Sequence, residues 1–460
     1  MSVAVASVFV VGKPNASPDD HFCSACGFSS PRWFGRCPDC GRWSSAASMP
    51  EAGVEHLDIL SPALEGAGPE RITTGMAEVD RVLGGGLVEG GAVLLAGEPG
   101  IGKSTLVLQL LDGLLTGGRS ALLVTGEESV AQVGLRGRRI GVALNHFKVA
   151  ASVSLEACLA ASGRATPDVL VIDSIQTLTS SAQDGAPGSV AQVRDCAAAL
   201  VRHAKTTGTA VVIVGHVTKD GHVAGPKVLE HVVDAVLTLE GERSGSVRLL
   251  RAAKNRFGSC DETGVFVMEE RGLQPVGDPS AMLLADRCEG VTGSVVFCAL
   301  EGTRPLLVEI QALVVPSELP QPRRVAIGVD ARRLALLIGV MQQRLDLKCE
   351  KKDVFVAAAG GIAVREPAAD VALCIALHSA LREVPVDPHV VAVGEVGLGG
   401  EIRRVPGIDR RLAEAARLGF RRALAPRGTK VPVGFEVVTV SNLQAAMDGT
   451  VPCSLSVPAS

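Results

Sequence analysis

A glycine-rich run that ends in lysine, serine and threonine carries the most specific chemistry in this sequence. It comprises Gly97, Glu98, Pro99, Gly100, Ile101, Gly102, Lys103, Ser104 and Thr105, which match the G-x-x-x-x-G-K-S/T pattern of a phosphate-binding loop. In such a loop the glycines let backbone N–H groups converge on the phosphates, Lys103 reaches the β- and γ-phosphate oxygens, and the Ser104 hydroxyl binds Mg²⁺. The sequence therefore predicts a site for a nucleoside triphosphate, namely ATP with Mg²⁺.

Acidic residues at two predicted strand ends supply the groups that hydrolysis would need. Asp173 follows the apolar residues 169–172 and is expected to polarise the water shell of Mg²⁺. Glu127 and Glu128 follow another strand and are both candidates to position and deprotonate the attacking water. We favour Glu128, and at least one of the pair is expected to cap a helix instead. His216 is either a γ-phosphate sensor or a buried structural histidine.

Four of the twelve cysteines form two Cys-x-x-Cys pairs, Cys23 with Cys26 and Cys37 with Cys40. Each pair directs two thiolates at one ion, so two pairs complete the closed tetrahedral shell of a structural Zn²⁺. A disulfide or a redox-active pair is the alternative. The tryptophans and arginines around the cysteines either contact nucleic acid or pack the small module.

From residue 71 onward, short apolar strands alternate with helical segments, which indicates a parallel α/β sheet. The predicted strands are residues 92–96, 121–125, 169–172, 210–214 and 232–239, with 247–252 as an antiparallel addition. Ligands of such a sheet lie beyond the carboxyl ends of its strands. The phosphate-binding loop and the acidic residues are therefore expected at one edge, where a helix over residues 106–115 points its positive end at the phosphate.

Length, composition and charge limit the class of protein. The chain has 460 residues, of which 47% are hydrophobic and 20% charged, so several folded domains are expected. No apolar run approaches the roughly 20 residues of a membrane span, and no secretion signal is identified; a cytoplasmic protein with no membrane partner is expected. Because the net charge is −4, any nucleic-acid-binding surface has to be local.

Several segments together resemble the RadA (Sms) family of bacterial DNA-repair and recombination ATPases. The matching segments are the two cysteine pairs, Thr74-Gly75-Met76, Leu83-Gly84-Gly85-Gly86, the phosphate-binding loop, residues 215–221, residues 224–227 and Lys254-Asn255-Arg256-Phe257-Gly258. The core is also similar to RecA-type ATPases such as the DnaB helicases. The resemblance covers residues 22–442 and implies a homo-oligomer, expected to be a hexameric ring.

The resemblance also implies roles for two further segments. Residues 216–227 are similar to the loop that faces the channel of RecA-type rings, where Lys219 and Lys227 would contact the backbone of single-stranded DNA; a solvated surface loop is the alternative. Lys254 and Arg256 would act as a finger on the γ-phosphate of the neighbouring subunit's nucleotide. The implied partners are single-stranded DNA, branched recombination intermediates and a RecA-type recombinase.

The C-terminal third resembles the proteolytic domain of Lon protease, most closely between Gly394 and Gly419. Strands are expected within residues 293–315 and at 354–359, helices at 333–345, 368–381 and 409–418, and a hairpin at 390–405. The Ser–Lys dyad of Lon is missing, because Ala368 stands in place of the serine and Asp409 in place of the lysine. Neither side chain can perform the dyad's chemistry, so no peptidase activity is expected.

The predicted fold class is α/β, with four segments. They are a zinc-binding module at residues 1–48, a linker at 49–69, a RecA-type P-loop ATPase core at 70–275 and an α+β Lon-protease-like domain at 276–460. The predicted function is that of an ATP-driven DNA motor, a helicase or translocase of DnaB type, that promotes branch migration in recombinational repair. An ATP-dependent protease and a non-motor module in which ATP only sets assembly are the alternatives.

Overall fold

The computed structural model describes residues 21–23, 28–30, 32–43, 46–48, 70–143, 148–216, 229–241, 245–429 and 433–450. Of the predicted functional residues, Cys26, Lys219 and Lys227 lie outside these ranges. The chain divides into two compact units, Met1–Gly68 and Pro69–Ser460. None of the helices in the described part has both the length and the apolar character needed to cross a bilayer.

The first unit is built on a small antiparallel sheet. Its strands are β1 (His21–Cys23), β2 (Ser29–Ser30) and β3 (Ala46–Ser48), in the order β2-β1-β3. Between β2 and β3 the chain makes a tight turn at Cys37, where the Gly41 N–H donates to the Cys37 carbonyl oxygen at 2.9 Å. Gly41 has a φ of 71°, which is readily adopted by glycine. Turn and strand together bring cysteines from distant positions close to one another.

The first half of the second unit is a nine-stranded sheet with helices on both faces. In chain order its elements are β4 (Arg71–Ile72), α1 (Ala77–Leu83), β5 (Leu87–Val88), β6 (Ala92–Gly97), α2 (Lys103–Thr116), β7 (Ala121–Thr125), α3 (Val130–Ile140), β8 (Lys148–Ala151), α4 (Leu155–Ala165), β9 (Val169–Asp173), α5 (Val190–Thr207), β10 (Ala210–His216), β11 (Ala235–Glu240), β12 (Val247–Asn255), β13 (Thr263–Glu269) and β14 (Gly272–Pro275). The order of the nine-stranded sheet is β14-β13-β12-β11-β6-β10-β9-β7-β8, and β4 and β5 form a separate antiparallel pair.

The strands from β11 to β8 in that order are parallel, and β12, β13 and β14 add antiparallel strands at one side. This confirms the predicted parallel sheet with an antiparallel addition. Side chains of β6 alternate between two apolar cores: Val93 and Leu95 pack with α1, α2 and α3, and Leu94 and Ala96 pack with α4 and α5. Burial on both faces explains why the central strands are uninterrupted apolar runs.

The second half of this unit is a seven-stranded mixed sheet. In chain order its elements are α6 (Pro279–Leu284), β15 (Ser294–Glu301), β16 (Arg304–Pro316), β17 (Arg324–Ile327), α7 (Ala331–Leu345), β18 (Lys352–Ala358), α8 (Asp370–Arg382), β19 (Val390–Ala392), β20 (Glu395–Val396), β21 (Ile402–Arg403), α9 (Ile408–Arg417), β22 (Arg422–Ala425), β23 (Glu436–Thr439) and α10 (Leu443–Asp448). The sheet order is β17-β18-β16-β15-β19-β22-β23.

The hairpin predicted over residues 390–405 is only partly present. β20 and β21 do pair antiparallel, but β19 is a parallel strand between β15 and β22 in the large sheet. All three residues of β19 are buried. A buried strand of this kind is apolar without alternation, so the sequence pattern did not distinguish it from one arm of a hairpin.

The ATPase sheet and the C-terminal sheet share one apolar core. Val247, Leu249 and Val265 of the ATPase sheet pack in the same cluster as the C-terminal helices and strands. An ion pair joins Glu78 of α1 to Arg304 of β16, and Glu78 Oε2 also accepts a hydrogen bond from the Val265 N–H at 2.8 Å. The predicted domain boundary at residue 275 therefore runs through continuous packing.

Candidate active site

Four adjacent strands of the ATPase sheet bring the predicted catalytic groups to one edge of the sheet, the edge formed by the carboxyl ends of its parallel strands. The strands β6, β10, β9 and β7 are neighbours in that order and all run parallel, with His216 beside Gly97 and Asp173 beside Thr125. The phosphate-binding loop follows Gly97, and Glu127 follows β7 by two positions. The structure thus places the loop, His216, Asp173 and Glu127 at the carboxyl ends of neighbouring strands, where open α/β sheets bind their ligands.

The phosphate-binding loop leads directly into α2. Gly100 and Gly102 have φ angles of 81° and 118°, a region in which any other residue would be strained. A side chain at Gly102 would also meet the Met268 methyl group, 2.6 Å from the position of a Cβ atom. Because Gly102 is the N-cap of α2 and has no side chain, the first N–H groups of the helix remain available to an anion.

Lys103 is the first residue of α2, and its side chain folds back across the loop. Its ammonium donates to the carbonyl oxygens of Gly97 at 2.9 Å and Glu98 at 3.0 Å. Burial lowers the pKa of Lys103, whereas the carboxylates of Asp173 and Glu127 act in the opposite direction. A buried cation held above the loop by two carbonyls is placed to bind the terminal phosphates of a nucleotide.

Three buried polar atoms at this edge have no hydrogen-bond partner among the described residues. They are Asp173 Oδ1, Gln176 Oε1 and His216 Nδ1, and Arg287 Nε is the one further atom of this kind in that part of the chain. Buried polar atoms in folded proteins are nearly always paired. Their concentration beside the phosphate-binding loop indicates that a polar ligand completes the hydrogen bonding at this edge.

Asp173 and Ser104 together suit a magnesium ion. Burial raises the pKa of Asp173, and a hydrogen bond from the Ser104 hydroxyl lowers it in part. Mg²⁺ prefers hard oxygen ligands such as a carboxylate and a hydroxyl, with substrate phosphate and water filling the remaining positions. A bound Mg²⁺ would favour the ionised form of Asp173 and would neutralise charge on the phosphates.

Glu127 lies within this group of residues. Its Oε1 atom accepts a hydrogen bond from the Ser174 hydroxyl and lies 3.0 Å from His216 Nε2. The His216 contact is the largest influence on the Glu127 carboxyl, whose pKa is lowered to about 2, and Lys103 contributes in the same direction. Glu127 is therefore ionised at neutral pH. Ser174, which directly follows Asp173 at a strand end, was not predicted from the sequence as a site residue.

Glu128 points in a different direction. Its carboxylate forms an ion pair with Arg136 of α3, and the Glu128 N–H donates to Thr125 Oγ1 at 3.1 Å. The N-cap of α3 is Ser129, which forms a capping box with Gln132. Neither glutamate therefore caps the helix through its side chain. The geometry favours Glu127 over Glu128 for a role at the phosphate, contrary to the preference drawn from the sequence.

Lys254 and Arg256 lie at the opposite edge of the ATPase sheet, the edge formed by the amino ends of its parallel strands. Asn255 pairs with Ala235 at the start of β11, whereas Leu239 near the end of β11 pairs with Gly97. The Lys254 ammonium donates to the carbonyls of Glu230 at 2.6 Å and Val233 at 2.7 Å. Neither side chain is placed to reach the phosphate-binding loop of its own subunit.

Arg256 is the more accessible of the two cations. Its guanidinium has an ion pair with Asp234 at 3.2 Å, and 51% of its side chain is exposed, compared with 7% for Asp234. Asp234 is itself held by the Ala92 N–H, which donates to Oδ2 at 3.1 Å. The buried acid thus holds one nitrogen of the Arg256 guanidinium, while half of the arginine side chain remains exposed.

The positions that correspond to the Lon dyad hold no catalytic side chains. Ala368 is buried, and its carbonyl accepts a hydrogen bond from the Gly394 N–H at 2.9 Å. Asp409 is exposed in the first turn of α9. Close to Ala368, the Glu366 carboxylate accepts two hydrogen bonds from the buried Arg411 guanidinium, at 2.8 and 2.5 Å. This region is built as a packed structural element.

Three of the four predicted zinc ligands lie together in the first unit. The Sγ atoms of Cys23, Cys37 and Cys40 are all within 4.8 Å of one another, and those of Cys23 and Cys40 are 3.7 Å apart. Two thiolates on one tetrahedral Zn²⁺, with Zn–S bonds of about 2.3 Å, would be about 3.8 Å apart, whereas a disulfide requires about 2.05 Å. These sulfur positions fit Zn²⁺.

We expect purified protein to contain about one zinc ion per chain, because four thiolates at this spacing close a tetrahedral site. Cys37→Ser should lose most of the metal but keep nucleotide binding, since the phosphate-binding loop belongs to the other unit. Atomic absorption together with titration of a fluorescent ATP analogue measures both properties. Cys260→Ser, at an exposed cysteine, is the control and should retain zinc. Zinc-free wild-type protein would contradict the assignment.

Comparison with known proteins accounts for all three parts of the chain. A family model for an AAA domain matches residues 69–222. One for a rubredoxin metal binding domain matches residues 21–46, and one for the Lon protease (S16) C-terminal proteolytic domain matches residues 338–435. The matches agree with the predicted zinc module, P-loop ATPase core and Lon-like domain.

Similarity to complete proteins is close and runs along nearly the whole chain. The DNA repair protein RadA of Halalkalibacterium halodurans is 46% identical over 445 residues, which are 93% of this chain and 97% of that protein. The proteins of the same name from Pseudomonas aeruginosa and Bacillus subtilis are 47% and 44% identical, over 93% and 92% of this chain and 97% of their own lengths. The chain belongs to the RadA family. Membership of the RadA family confirms the resemblance drawn from the cysteine pairs, the phosphate-binding loop and the segment at residues 254–258.

Proposed function

We propose that this chain assembles into a hexameric ring on single-stranded DNA and uses ATP hydrolysis to move along it, promoting branch migration of recombination intermediates. ATP hydrolysis fits the AAA domain match, and the DNA repair role extends to this chain the name that its relatives carry. The proposal includes Mg²⁺ at Ser104 and Asp173, Zn²⁺ at the cysteine module, a cytoplasmic location and a RecA-type recombinase as partner. The proposal also keeps the predicted division of the chain at residues 48, 69 and 275, with the ATPase core and the Lon-like domain packed against each other on either side of residue 275.

One observation supports a ring-shaped assembly. The phosphate-binding groups lie at the carboxyl ends of the parallel strands of the ATPase sheet, and Arg256 lies near their amino ends. The register along β11 separates Ala235, beside Asn255, from Leu239, beside Gly97, which at about 3.3 Å per residue amounts to roughly 13 Å. A surface arginine and a nucleotide site on opposite edges can meet only between two subunits. Repeated head-to-tail contact of this kind produces a closed ring when the rotation permits.

The proposed DNA contacts are Lys219 and Lys227, which follow β10 and lie outside the described residues. In a ring, repetition of one lysine would produce a cationic collar around the channel even though the chain is acidic overall. The C-terminal domain also contains pairs of adjacent arginines, among them Arg332-Arg333 and Arg410-Arg411. One member of each of these two pairs forms an internal ion pair, Arg333 with Asp370 and Arg411 with Glu366. These internal contacts favour Lys219 and Lys227 as the DNA contacts.

Electron microscopy with a slowly hydrolysed ATP analogue and single-stranded DNA tests the assembly, and a fluorescent three-stranded DNA junction tests the motor. We expect rings that encircle DNA, and strand displacement that requires ATP and is not supported by ADP. DNA binding without ATP-dependent displacement would favour the non-motor module. Particles with no ring order under any nucleotide condition would contradict the proposed assembly.

Within this proposal, Glu127 positions the attacking water. Glu127→Gln should lower the rate of ATP hydrolysis by about 10²- to 10⁴-fold, because an amide cannot accept the water's proton, while ATP affinity should be preserved. Glu128→Gln is the matched control and should retain most of the rate, since Glu128 is paired with Arg136. Steady-state phosphate release measures both variants. The reverse ranking would transfer the role back to Glu128.

No peptide cleavage is expected from the C-terminal domain, because Ala368 offers no nucleophile. Purified protein should release no fluorophore from casein or from unstructured peptides, with or without ATP and DNA. Peptidase activity that copurifies with the protein and is blocked by a serine-directed inhibitor would overturn this expectation. The variant Lys103→Ala distinguishes ATP-dependent from ATP-independent cleavage if any is observed.

A further inference from the structure

The Glu127 carboxylate is held from one side only. Both of its described hydrogen bonds, from Ser174 Oγ and His216 Nε2, fall on Oε1. Oε2 is thereby left to accept a hydrogen bond from a third group, such as a water molecule. Ser174 is fully buried, whereas 40% of the Glu127 side chain is exposed. A carboxylate that must point toward one group is expected to have one oxygen held by hydrogen bonds, here Oε1, and the other oxygen, here Oε2, available to that group.

The imidazole ring of His216 faces Glu127 through its Nε2 atom. His216 is the last residue of β10, and its carbonyl lies 3.5 Å from the side-chain nitrogen of Gln176. An ionised carboxylate can only accept hydrogen bonds, so the His216 nitrogen that faces Glu127, Nε2, carries the proton. The other nitrogen, Nδ1, is buried and has no partner among the described residues. The hydrogen bond to Glu127 therefore sets which nitrogen of His216 carries the proton.

We propose that His216 is a positioning residue for ATP hydrolysis, which acts by holding Glu127 Oε1 so that Oε2 faces the attacking water. This inference rests on the proposed role of Glu127 as the group that accepts the water's proton. It differs from a direct contact between His216 and the γ-phosphate, because the histidine acts here through the carboxylate. Ser174, the residue that follows the neighbouring strand β9, donates a hydrogen bond to the same oxygen.

His216→Phe tests the inference, because it keeps a ring but removes the hydrogen bond. With saturating single-stranded DNA, kcat should fall by about 10- to 100-fold, since misplacing a catalytic group by about 1 Å can cost that much. KM and the affinity for a fluorescent non-hydrolysable ATP analogue should stay within about threefold of wild type. His216→Gln, which retains an N–H of similar reach, should restore most of the lost rate.

A double-mutant comparison separates positioning from a general structural role. If His216 acts through Glu127, Glu127→Gln combined with His216→Phe should be no slower than Glu127→Gln alone. His203→Gln is the matched control, because His203 also bonds a buried serine, Ser162, at 2.9 Å, but lies on α5 away from the phosphates. It should retain the wild-type kcat.

The outcomes distinguish the positioning role of His216 from the proposed role of Glu127, on which it rests. Wild-type kcat in His216→Phe, or a double variant slower than Glu127→Gln by the full His216→Phe factor, would overturn the positioning role. Wild-type kcat in Glu127→Gln would instead remove the proposed role of Glu127 itself. If the phenylalanine ring disturbs folding, as judged by loss of analogue binding, His216→Asn repeats the test with a side chain too short to reach Glu127.

Discussion

ATP turnover should fall by about 10²- to 10³-fold when Lys103 is replaced by alanine, because a fixed cation is lost where negative charge develops. The Lys103 ammonium is positioned by the carbonyls of Gly97 and Glu98, and the Asp173 and Glu127 carboxylates favour its charged form. Phosphate release under saturating ATP and single-stranded DNA measures the effect.

The matched control for Lys103 is Lys205→Ala, at an exposed lysine in the last turn of α5. It should hydrolyse ATP at the wild-type rate. Thermal unfolding of both variants without nucleotide checks that the substitutions leave the fold intact. A Lys103→Ala protein that turns over ATP at more than about a tenth of the wild-type rate would show that other groups bind the phosphates.

Arg256→Ala should bind ATP with nearly wild-type affinity but lose roughly 10³-fold or more in hydrolysis rate, by analogy with arginine fingers. The arginine lies at the sheet edge away from its own phosphate-binding loop, with half of its side chain exposed. In the proposed ring it would therefore face a neighbouring subunit. Arg202→Ala, at an exposed arginine of α5, should keep the wild-type rate.

Mixing of variants decides whether Arg256 acts between subunits. Arg256→Ala and Lys103→Ala proteins are each expected to be inactive alone. In a mixed ring, the intact phosphate-binding loop of one subunit can meet the intact Arg256 of the other, so ATPase activity should partly return. If mixed rings form, as shown by pull-down of a tagged subunit, and no activity returns at any ratio, Arg256 acts within its own subunit or contacts DNA.

The elements of the ATPase sheet were largely predictable because their central strands are short apolar runs that end in polar residues. β7 was predicted with both ends in place, and β9 extends one residue beyond the prediction, to Asp173. β8 was missed, because it is short, its apolar run is only Val149-Ala150-Ala151, and none of its residues is buried. β13 and β14 were missed because they form a hairpin whose turn, at Glu270 and Arg271, interrupts the α/β alternation.

The candidate site was predictable as a set of residues but not as a set of contacts. Glu127 and His216 are 89 positions apart, and only the strand order, which places β10 and β9 between β6 and β7, shows that they can meet. For the same reason the sequence could not distinguish Glu127 from Glu128. Adjacent residues point in different directions at a strand end, and the decisive partner of Glu128, Arg136, lies on the following helix.

The common core of the two sheets has a mechanical consequence. Glu240, at the end of β11, pairs with Arg251, which also pairs with Glu301 of β15, and β11 lies directly beside the strand that ends at Gly97. These ion pairs connect the strands beside the phosphate-binding loop to the C-terminal sheet. In the proposed motor, we therefore expect movement at the nucleotide to be transmitted through this shared core to the C-terminal sheet.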